Sequence, residues 1–424
     1  MKLVVTIFER TADAAIAAIR ALSGPFDMVE LRVDAFGGAI DLRAVRAATA
    51  KPIIVTNRGG APVDFDAAYG AGIDFVDVEF GQDPGPRRDR VVLSHHDFDG
   101  MPDVERLLRE MGAEGCAYTK LAVTPRTFAD NARLLGVLEC GGHAAALGDS
   151  GGMAAALHTV IGMGERGLYA RIAAPFLGSE LQFVAVDDAH VAAPGQLTLD
   201  DARTIYGDDP RADKLFAIAG NPAGQSRSPL IHNPIFRERG VGAAYTIASF
   251  ATFEEIAEPF ATRERFAPIG MSVTAPFKEE AFAFAQRHGA DIAPNARDAG
   301  AVNTLAWIRG RIVADNTDVD GFEALIEGTR AAIVGAGGTA RAARVALARR
   351  GIPFTIYNRT PRDGALPLDA IDDFDGDLIV DTLPVEIPLP KVKTIRAAYK
   401  QTANDLLRAQ AVRQSAIFLE ACRS

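Results

Sequence analysis

CAYTKLAVTP, residues 116–125, is a short apolar run that holds one lysine, Lys120, and closes on Pro125. Its length and composition are those of a buried strand. Lysine is rarely buried without a partner. A buried amine tends to lose its charge, because desolvation penalises the ammonium form. Lys120 is therefore either a snorkelling surface residue or an amine kept reactive, and the surrounding chain has to decide between them. Similar runs occur at 2–8 (KLVVTIF), 28–34 (MVELRVD), 52–57 (PIIVTN), 74–80 (DFVDVEF), 90–98 (RVVLSHHDF), 157–163 (LHTVIGM) and 180–186 (ELQFVAV). Between them lie alanine-rich amphipathic stretches such as TADAAIAAIRAL (11–22) and VERLLREMG (104–112). Alternation of strand and helix means a parallel sheet. Eight strands predict a closed (β/α)8 barrel with its chemistry at the carboxyl ends of the strands. Glu30, Arg32, Arg58, Glu79, His95, His96, Asp97, Lys120 and Arg171 all fall at such ends. The Gly/Ala-rich segment 141–156 reads as an enlarged connection before the seventh strand.

The 424 residues suit two or three domains. With 48% hydrophobic residues, large cores can form. A net charge of −10 argues against a nucleic-acid binder. No run approaches a membrane span, and MKLVVTIFERTADAA turns acidic too soon for a signal peptide. Cys116, Cys140 and Cys422 have no metal or CxxC spacing, and the seven histidines form no ligand pattern. The expectation is a soluble, cytoplasmic, metal-free protein acting on small molecules, possible as a homodimer. The polar segment TIYGDDPRADKLF (204–216) marks a seam, after which strand–helix alternation restarts.

Lys120 and His96 come from neighbouring strand ends. A neutral lysine can attack a ketone to form an imine, and a histidine can then remove the acidified neighbouring proton. Rim arginines would hold a substrate carboxylate. ELR (30–32), SHHDF (94–98), TKLAV (119–123), MGERGLYARI (163–172), LGSELQF (177–183) and APGQ (193–196) resemble the type I 3-dehydroquinate dehydratases, in the family's order. The resemblance implies Lys120 as imine-forming lysine and His96 as general acid–base. It implies substrate contacts at Glu30, Arg32, Arg58, Arg171 and Gln196. The family's histidine-orienting glutamate, a few residues after the arginine, is absent from NRGGAPVDF (57–65), and Ala170 and Ala192 replace serines. The expectation is a thinned supporting shell around an intact Lys–His pair.

In the second half, AAIVGAGGTARAA (331–343) is a strand, a glycine turn and a small-residue helix. Gly335, Gly337 and Ala340 occupy the GxGxxG/A positions, which bring backbone close to a pyrophosphate at a helix N-terminus. Ala336, Gly338 and Thr339 complete the loop. Asn358 follows Gly335 by 23 residues, near the roughly 20 at which such units place a ribose-reading acid. Here the acid is replaced by Asn358-Arg359-Thr360, with Arg362 beyond, which favours the 2′-phosphate of NADP. Lys278, Asn303 and Asp318 follow strand-like runs in GMSVTAPFK (270–278), GAVNTL (300–305) and DNTDVDGF (315–322). A lysine beside an aspartate can relay a proton to a carbonyl oxygen. These motifs, GNPAGQSRSPLIHN (220–233) and LLRAQAVRQSAIF (406–418) resemble shikimate dehydrogenases. The resemblance implies Lys278 and Asp318 as catalytic, and Ser226, Ser228, Thr274, Asn303 and Gln410 as substrate-binding. Ser272 stands for the usual asparagine, VEIPLP (385–390) replaces the usual Gly-Met, and the chain between Tyr399 and Leu406 is short for the elements normally there.

The two resemblances are complementary, since dehydration of 3-dehydroquinate yields 3-dehydroshikimate, the ketone that an NADPH-dependent dehydrogenase reduces to shikimate. The expected organisation is a barrel over 1–207, a substrate lobe over 213–316 completed by a helix at 404–424, and an NADP-binding Rossmann lobe over 317–403. A dehydrogenase with an idle barrel, a quinate- or NAD-preferring enzyme and a ligand-sensing regulator stay open as alternatives.

Overall fold

The computed structural model describes residues 1–36, 40–59, 63–146, 157–360, 364–397 and 405–424. They form two compact units, Met1–Asp213 and Lys214–Ser424.

In the first unit, eight strands lie side by side, all parallel: β1 (Lys2–Ile7), β2 (Met28–Arg32), β3 (Ile53–Thr56), β4 (Phe75–Glu79), β5 (Val91–Asp97), β6 (Tyr118–Val123), β7 (Leu157–Gly162) and β8 (Leu181–Ala185). The ladder order is β7-β6-β5-β4-β3-β2-β1-β8. Between β7 and β8 the regular ladder lapses and side-chain hydroxyls take over. Glu180 N donates to His158 O (2.9 Å), Val160 N to Ser179 Oγ (3.2 Å) and Leu181 N to Thr159 Oγ1 (3.0 Å). Side chains alternate across a strand. Val4, Met28, Ile54, Val92, Tyr118, Ala122, Ile161, Leu181 and Phe183 therefore meet in one interior cluster. Their sequence neighbours, such as Val5, Val29, Leu93, Leu121 and Val184, are buried on the opposite face.

The helices are α1 (Ala12–Ala21), α2 (Leu42–Arg46), α3 (Phe65–Gly70), α4 (Val104–Ala113), α5 (Phe128–Ala146), α6 (Leu168–Ala173) and α7 (Leu199–Tyr206). Thr11, Asp41, Asp64, Asp103 and Thr198 cap five of them, each side chain accepting a first-turn N–H. The connection read at 141–156 is helical to Ala146 as the end of α5, and 147–156 lie outside the described residues.

The second unit has two sheets. The first contains β9 (Lys214–Gly220), β10 (Ala243–Ser249), β11 (Gly270–Val273), β12 (Asp291–Ile292), β13 (Thr304–Ile308) and β14 (Arg311–Asp315), in the order β10-β9-β11-β13-β14-β12. Around it run α8 (Ser228–Glu238), α9 (Glu254–Thr262), α10 (Lys278–Arg287) and α11 (Pro294–Ala299). After α12 (Thr317–Leu325) comes a five-stranded parallel sheet of β15 (Ala331–Val334), β16 (Phe354–Asn358), β17 (Leu366–Pro367), β18 (Leu378–Asp381) and β19 (Lys393–Arg396). Its order is β17-β16-β15-β18-β19, with the direction of winding reversed at β15. Ligands of open α/β sheets bind at such a reversal. The helix α13 (Gly338–Arg349) leaves β15 there. The terminal α14 (Asp405–Arg423) returns to the first sheet, where the Phe418 ring packs at a tilt against Phe216 (centroids 4.9 Å apart) and Gln414 Nε2 donates to Thr304 Oγ1 (2.8 Å).

Candidate active sites

Within β6, Tyr118 and Ala122 belong to the interior cluster, so Lys120 between them faces the same way. It is 5% exposed. Its Nζ lies 3.4 Å from Asp77 Oδ2 and 3.7 Å from Glu30 Oε1, and 4.1 Å from the centroid of the Phe183 ring. Glu30 accepts from Thr6 Oγ1 and Thr56 Oγ1, both at 2.8 Å. Gln196 reaches across the chain to the same group, its Nε2 donating to Thr6 Oγ1 (3.2 Å).

The partner of His96 corrects the expected thinning of the shell. No glutamate after Arg58 is needed, because Glu79 at the end of β4 does the orienting. Its Oε2 lies 2.9 Å from His96 Nδ1, and its Oε1 accepts from His96 N (2.9 Å). A carboxylate only accepts, so Nδ1 carries the proton and Nε2 keeps a lone pair. Burial lowers the His96 pKa, the Glu79 hydrogen bond pulls it back up, and Lys120 and Arg58 push it down; the balance lies below the ordinary value. His96 is thus a neutral imidazole at neutral pH. Arg58 holds the carboxylates in place, with Nη1 to Glu79 Oε2 (2.8 Å) and Nη2 to Asp77 Oδ2 (2.9 Å) and Ser94 Oγ (3.0 Å). Burial would raise the Asp77 carboxyl, but Lys120, Arg58, His96 and Ser94 hold it below the usual range. At the two positions where alanine stands for serine, the backbone N–H makes a bond that a serine there could also make. Ala192 N donates to Gln196 Oε1 (2.9 Å), and Ala170 N donates to Asn131 Oδ1 (3.0 Å).

The arginines differ in what they are left to do. Arg32 is clamped by Asp34 through two bonds (2.9 and 2.7 Å), and Arg58 by Asp77 and Glu79. Arg171 is 4% exposed and has no carboxylate in ion-pair range among the described residues. Its Nη1 donates to Pro194 O (3.3 Å), while its buried Nε has no hydrogen-bond partner. Burial pushes its pKa down to about 10. A buried cation short of partners is costly unless an anion joins it. Lys120, His96 and Arg171 line one cavity of about 960 Å³, with Glu30, Arg32, Arg58 and Gln196. Asp77 and Ser94 are site residues the sequence reading passed over. The alternation in DFVDVEF, which puts Asp77 and Glu79 on one strand face, was the available signal.

In the second unit Lys278 opens α10 and Asp318 sits in the first turn of α12, whose cap Asn316 accepts from Asp318 N (3.3 Å). Both are buried, with Lys278 Nζ 2.5 Å from Asp318 Oδ2. Asn303 Nδ2 donates to Asp318 Oδ1 (2.9 Å) and to Gln410 Oε1 (3.3 Å), and its Oδ1 accepts from Thr317 N (2.8 Å). Gln410 is therefore inside the site despite the short preceding segment. Ser226 and Ser228 bond to each other at the start of α8 (3.1 Å), and the Thr274 methyl packs against Gly220. Ser272, in place of an asparagine, shares a 2.5 Å hydrogen bond with Tyr245 OH. The chain continues beyond the predicted residues. Gln414 leads from Thr304 to His232 Nε2 (3.2 Å), and burial drives His232 down to about 4.

The nucleotide loop suits a phosphate. Gly335 has φ +107°, a conformation that disfavours a side chain, and a Cβ there would meet Thr382 Oγ1 at 2.4 Å. Ala336 and Gly337 are exposed, Ala340 is buried, and α13 starts without a side-chain cap, leaving its first N–H groups for an anion. Asn358 Nδ2 closes the following turn on Thr360 O (2.9 Å), with Arg359 and Thr360 exposed. Arg359 borders a cavity of about 560 Å³ with Leu368, Ile371 and Ile387, and with the acids Asp369 and Asp372. Arg362 lies outside the described residues. No helix among the described residues is long and apolar enough to cross a membrane, and no His/Cys/Asp/Glu cluster there could hold a metal.

Comparison with known proteins finds a different family in each unit. The profile of type I 3-dehydroquinase matches residues 3–210, and that of the shikimate dehydrogenase substrate binding domain matches 218–305. A chloroplastic bifunctional 3-dehydroquinate dehydratase/shikimate dehydrogenase of Arabidopsis thaliana is 27% identical over 391 residues, covering 79% of this chain and 60% of that protein. The shikimate biosynthesis protein AroDE of Chlamydia pneumoniae is 27% identical over 326 residues, 71% of this chain and 63% of that protein. A shikimate dehydrogenase (NADP(+)) of Maridesulfovibrio salexigens is 36% identical over 189 residues, 41% of this chain and 67% of that protein. The chain thus spans about three fifths of the length of the two bifunctional relatives.

Proposed function

The chain belongs to the type I 3-dehydroquinase family in its first unit and to the shikimate dehydrogenases in its second, and on that premise we propose that it catalyses two consecutive steps. The first is dehydration of 3-dehydroquinate to 3-dehydroshikimate. The second is NADPH-dependent reduction of that ketone to shikimate.

In the barrel, Lys120 Nζ gives up one proton and adds to the substrate ketone, and the carbonyl oxygen then leaves as water with that proton and one from the nitrogen, giving a protonated imine. The imine withdraws electrons and acidifies the adjacent C–H. His96 Nε2 takes that proton, with the electron pair flowing into the imine. The hydroxyl on the next carbon then leaves with the proton returned by His96 as water. Hydrolysis of the imine consumes the first water and frees Lys120, for a net loss of one water. Arg171 holds the substrate carboxylate, while Glu30, Arg32, Arg58 and Gln196 surround its hydroxyls. The observation that most supports this reading is a buried Arg171, with no carboxylate in ion-pair range among the described residues, in the same cavity as an interior lysine and a neutral, Glu79-oriented histidine.

In the second unit, NADPH supplies the hydride when bound. Gly335, Ala336, Gly337, Gly338, Thr339 and Ala340 would hold its pyrophosphate, and Asn358, Arg359 and Thr360 its 2′-phosphate. Lys278 gives a proton to the carbonyl oxygen as it becomes an alkoxide, and Asp318 keeps the ammonium in place. Ser226, Ser228, Thr274, Asn303 and Gln410 bind the substrate's hydroxyl and carboxylate groups. Neither Cys116 nor Cys422 forms a disulfide, which suits a reducing, cytoplasmic setting. Borohydride trapping with 3-dehydroquinate tests the first step, because the reading requires a reduced adduct on Lys120 by peptide mass analysis. Oxidation of NADPH by 3-dehydroshikimate tests the second, and a flat absorbance trace would refute it.

A further inference from the structure

Lys278 is held from across the cleft by the loop assigned to the dinucleotide. Besides its bond to Asp318, Lys278 Nζ donates to Thr339 Oγ1 at 2.9 Å. Thr339 is the second residue of α13, so the contact joins the first turns of α10 and α13. The lysine stem lies on the same loop. A Cβ added at Gly338 would stand 2.9 Å from Lys278 Cβ and 3.2 Å from its Cδ, whereas at Gly337 nothing lies within 4 Å. Gly338 is thus a glycine because the lysine packs there, while the space at Gly337 is open. Flanking ion pairs set α13 against the substrate lobe, Arg341 with Glu279 (3.0 Å) and Arg349 with Asp298 (2.8 Å).

An ammonium has three N–H groups in a tetrahedral array. Asp318 and Thr339 set two of those directions, and the geometry of nitrogen then sets the third. A threonine hydroxyl has one proton and two lone pairs. Accepting from Lys278 turns its own proton toward other acceptors, and an anion at the uncapped start of α13 is placed to be one. We propose that Thr339 is a positioning residue for Lys278, so that one hydroxyl of the nucleotide loop both aims the proton-transferring lysine and responds to a phosphate at the helix start. This rests on the dehydrogenase reading and adds to it a physical link between cofactor loop and proton donor.

The test compares Thr339→Val, which keeps the shape and removes the hydroxyl, with Thr339→Ser in the full chain. Two readouts are taken. One is the split between kcat and the KM values for 3-dehydroshikimate and NADPH. The other needs no turnover: the rate at which an amine-reactive reagent modifies Lys278 in cofactor-free protein, located by peptide mass analysis. Thr339→Val is expected to lower kcat about tenfold and to speed modification of Lys278 severalfold, with Thr339→Ser moving both back toward wild type. A Thr339→Val protein with raised KM for NADPH alone, and with wild-type kcat and Lys278 reactivity, would make Thr339 a cofactor contact only and overturn the proposal. Gly338→Ala is a second handle, since its methyl must displace the lysine stem, and unchanged Lys278 reactivity there also counts against it. If wild type reduces no 3-dehydroshikimate, the dehydrogenase reading fails, while the labelling comparison still decides whether Thr339 holds Lys278.

Discussion

The two units each bury a lysine, and the lysines are held in opposite ways. The side chain of Lys120 is 7% exposed and that of Lys278 is 5% exposed, so burial does not separate them. Partner distance does. Lys278 is in a 2.5 Å contact with Asp318 and is tied again to Thr339. The nearest carboxylate oxygens to Lys120 stand at 3.4 and 3.7 Å, and each of those acids has closer partners of its own. A lysine that must donate a proton along one line benefits from a tight, directional cradle. A lysine that must shed its protons and swing onto a carbon needs nearby charge without a clamp. The same residue type in comparable burial thus has different neighbours, and that difference supports the proposed acid role in one unit and the proposed nucleophilic role in the other.

Exchanging each lysine for alanine is the strongest way to break this comparison. Lys120→Ala should lower dehydratase kcat by a factor of about 10⁴ or more, as loss of a covalent nucleophile does, and should abolish the borohydride adduct. Dehydrogenase turnover, measured by NADPH oxidation in the same preparation, should stay at the wild-type level. Lys278→Ala should lower reduction of 3-dehydroshikimate by about 10²–10⁴-fold, the range of a lost general acid, with the Lys120 adduct still formed. Parallel loss of both activities in either variant would contradict the division of roles.

Glu79→Gln sharpens the barrel side. Dehydratase kcat should fall by about 10-fold or more. The hydrogen bond that His96 donates to Glu79 raises the His96 pKa, so its weakening lowers it. His96 acts as a base only when neutral, so the acid limb of the kcat–pH profile should move to lower pH. A profile displaced upward would mean that Glu79 is not the group that sets His96.

The smallest effect concerns the brace behind Asn303. His232 is held at about 4 by burial, against 6.5 when unfolded. The unfolded state thus binds the extra proton between these values, and stability falls as pH drops through that window. The second unit should lose about 2 kcal/mol between pH 7 and pH 5 from this group. Denaturant melts of wild type and His232→Gln at the two pH values check it, since the variant should show a correspondingly smaller loss.

Much of the architecture was legible because it is local. Eight β-rich runs with alternating helices carry the barrel in their periodicity, and the glycine turn after AAIV carries the dinucleotide fold. Lys120, His96, Lys278 and Asp318 could be nominated from short motifs, since each motif is a run of adjacent residues. The supporting groups were not. Glu79 reaches His96 only because β4 and β5 pair in a register that places Glu79 opposite Ser94, two residues from the histidine. An absent glutamate after Arg58 therefore looked like a deficit until that register was known. Gln196 meets Thr6 across 190 residues, Gln410 meets Asn303 across 107, and Lys278 meets Thr339 across 61. By itself the sequence determined the elements and nominated candidate side chains, through local periodicity and turn chemistry. Tertiary structure decided which cation stays unpaired, which carboxylate aims the histidine and what cradles each lysine, because a side chain's hydrogen bonds depend on which distant strand or helix is folded against it.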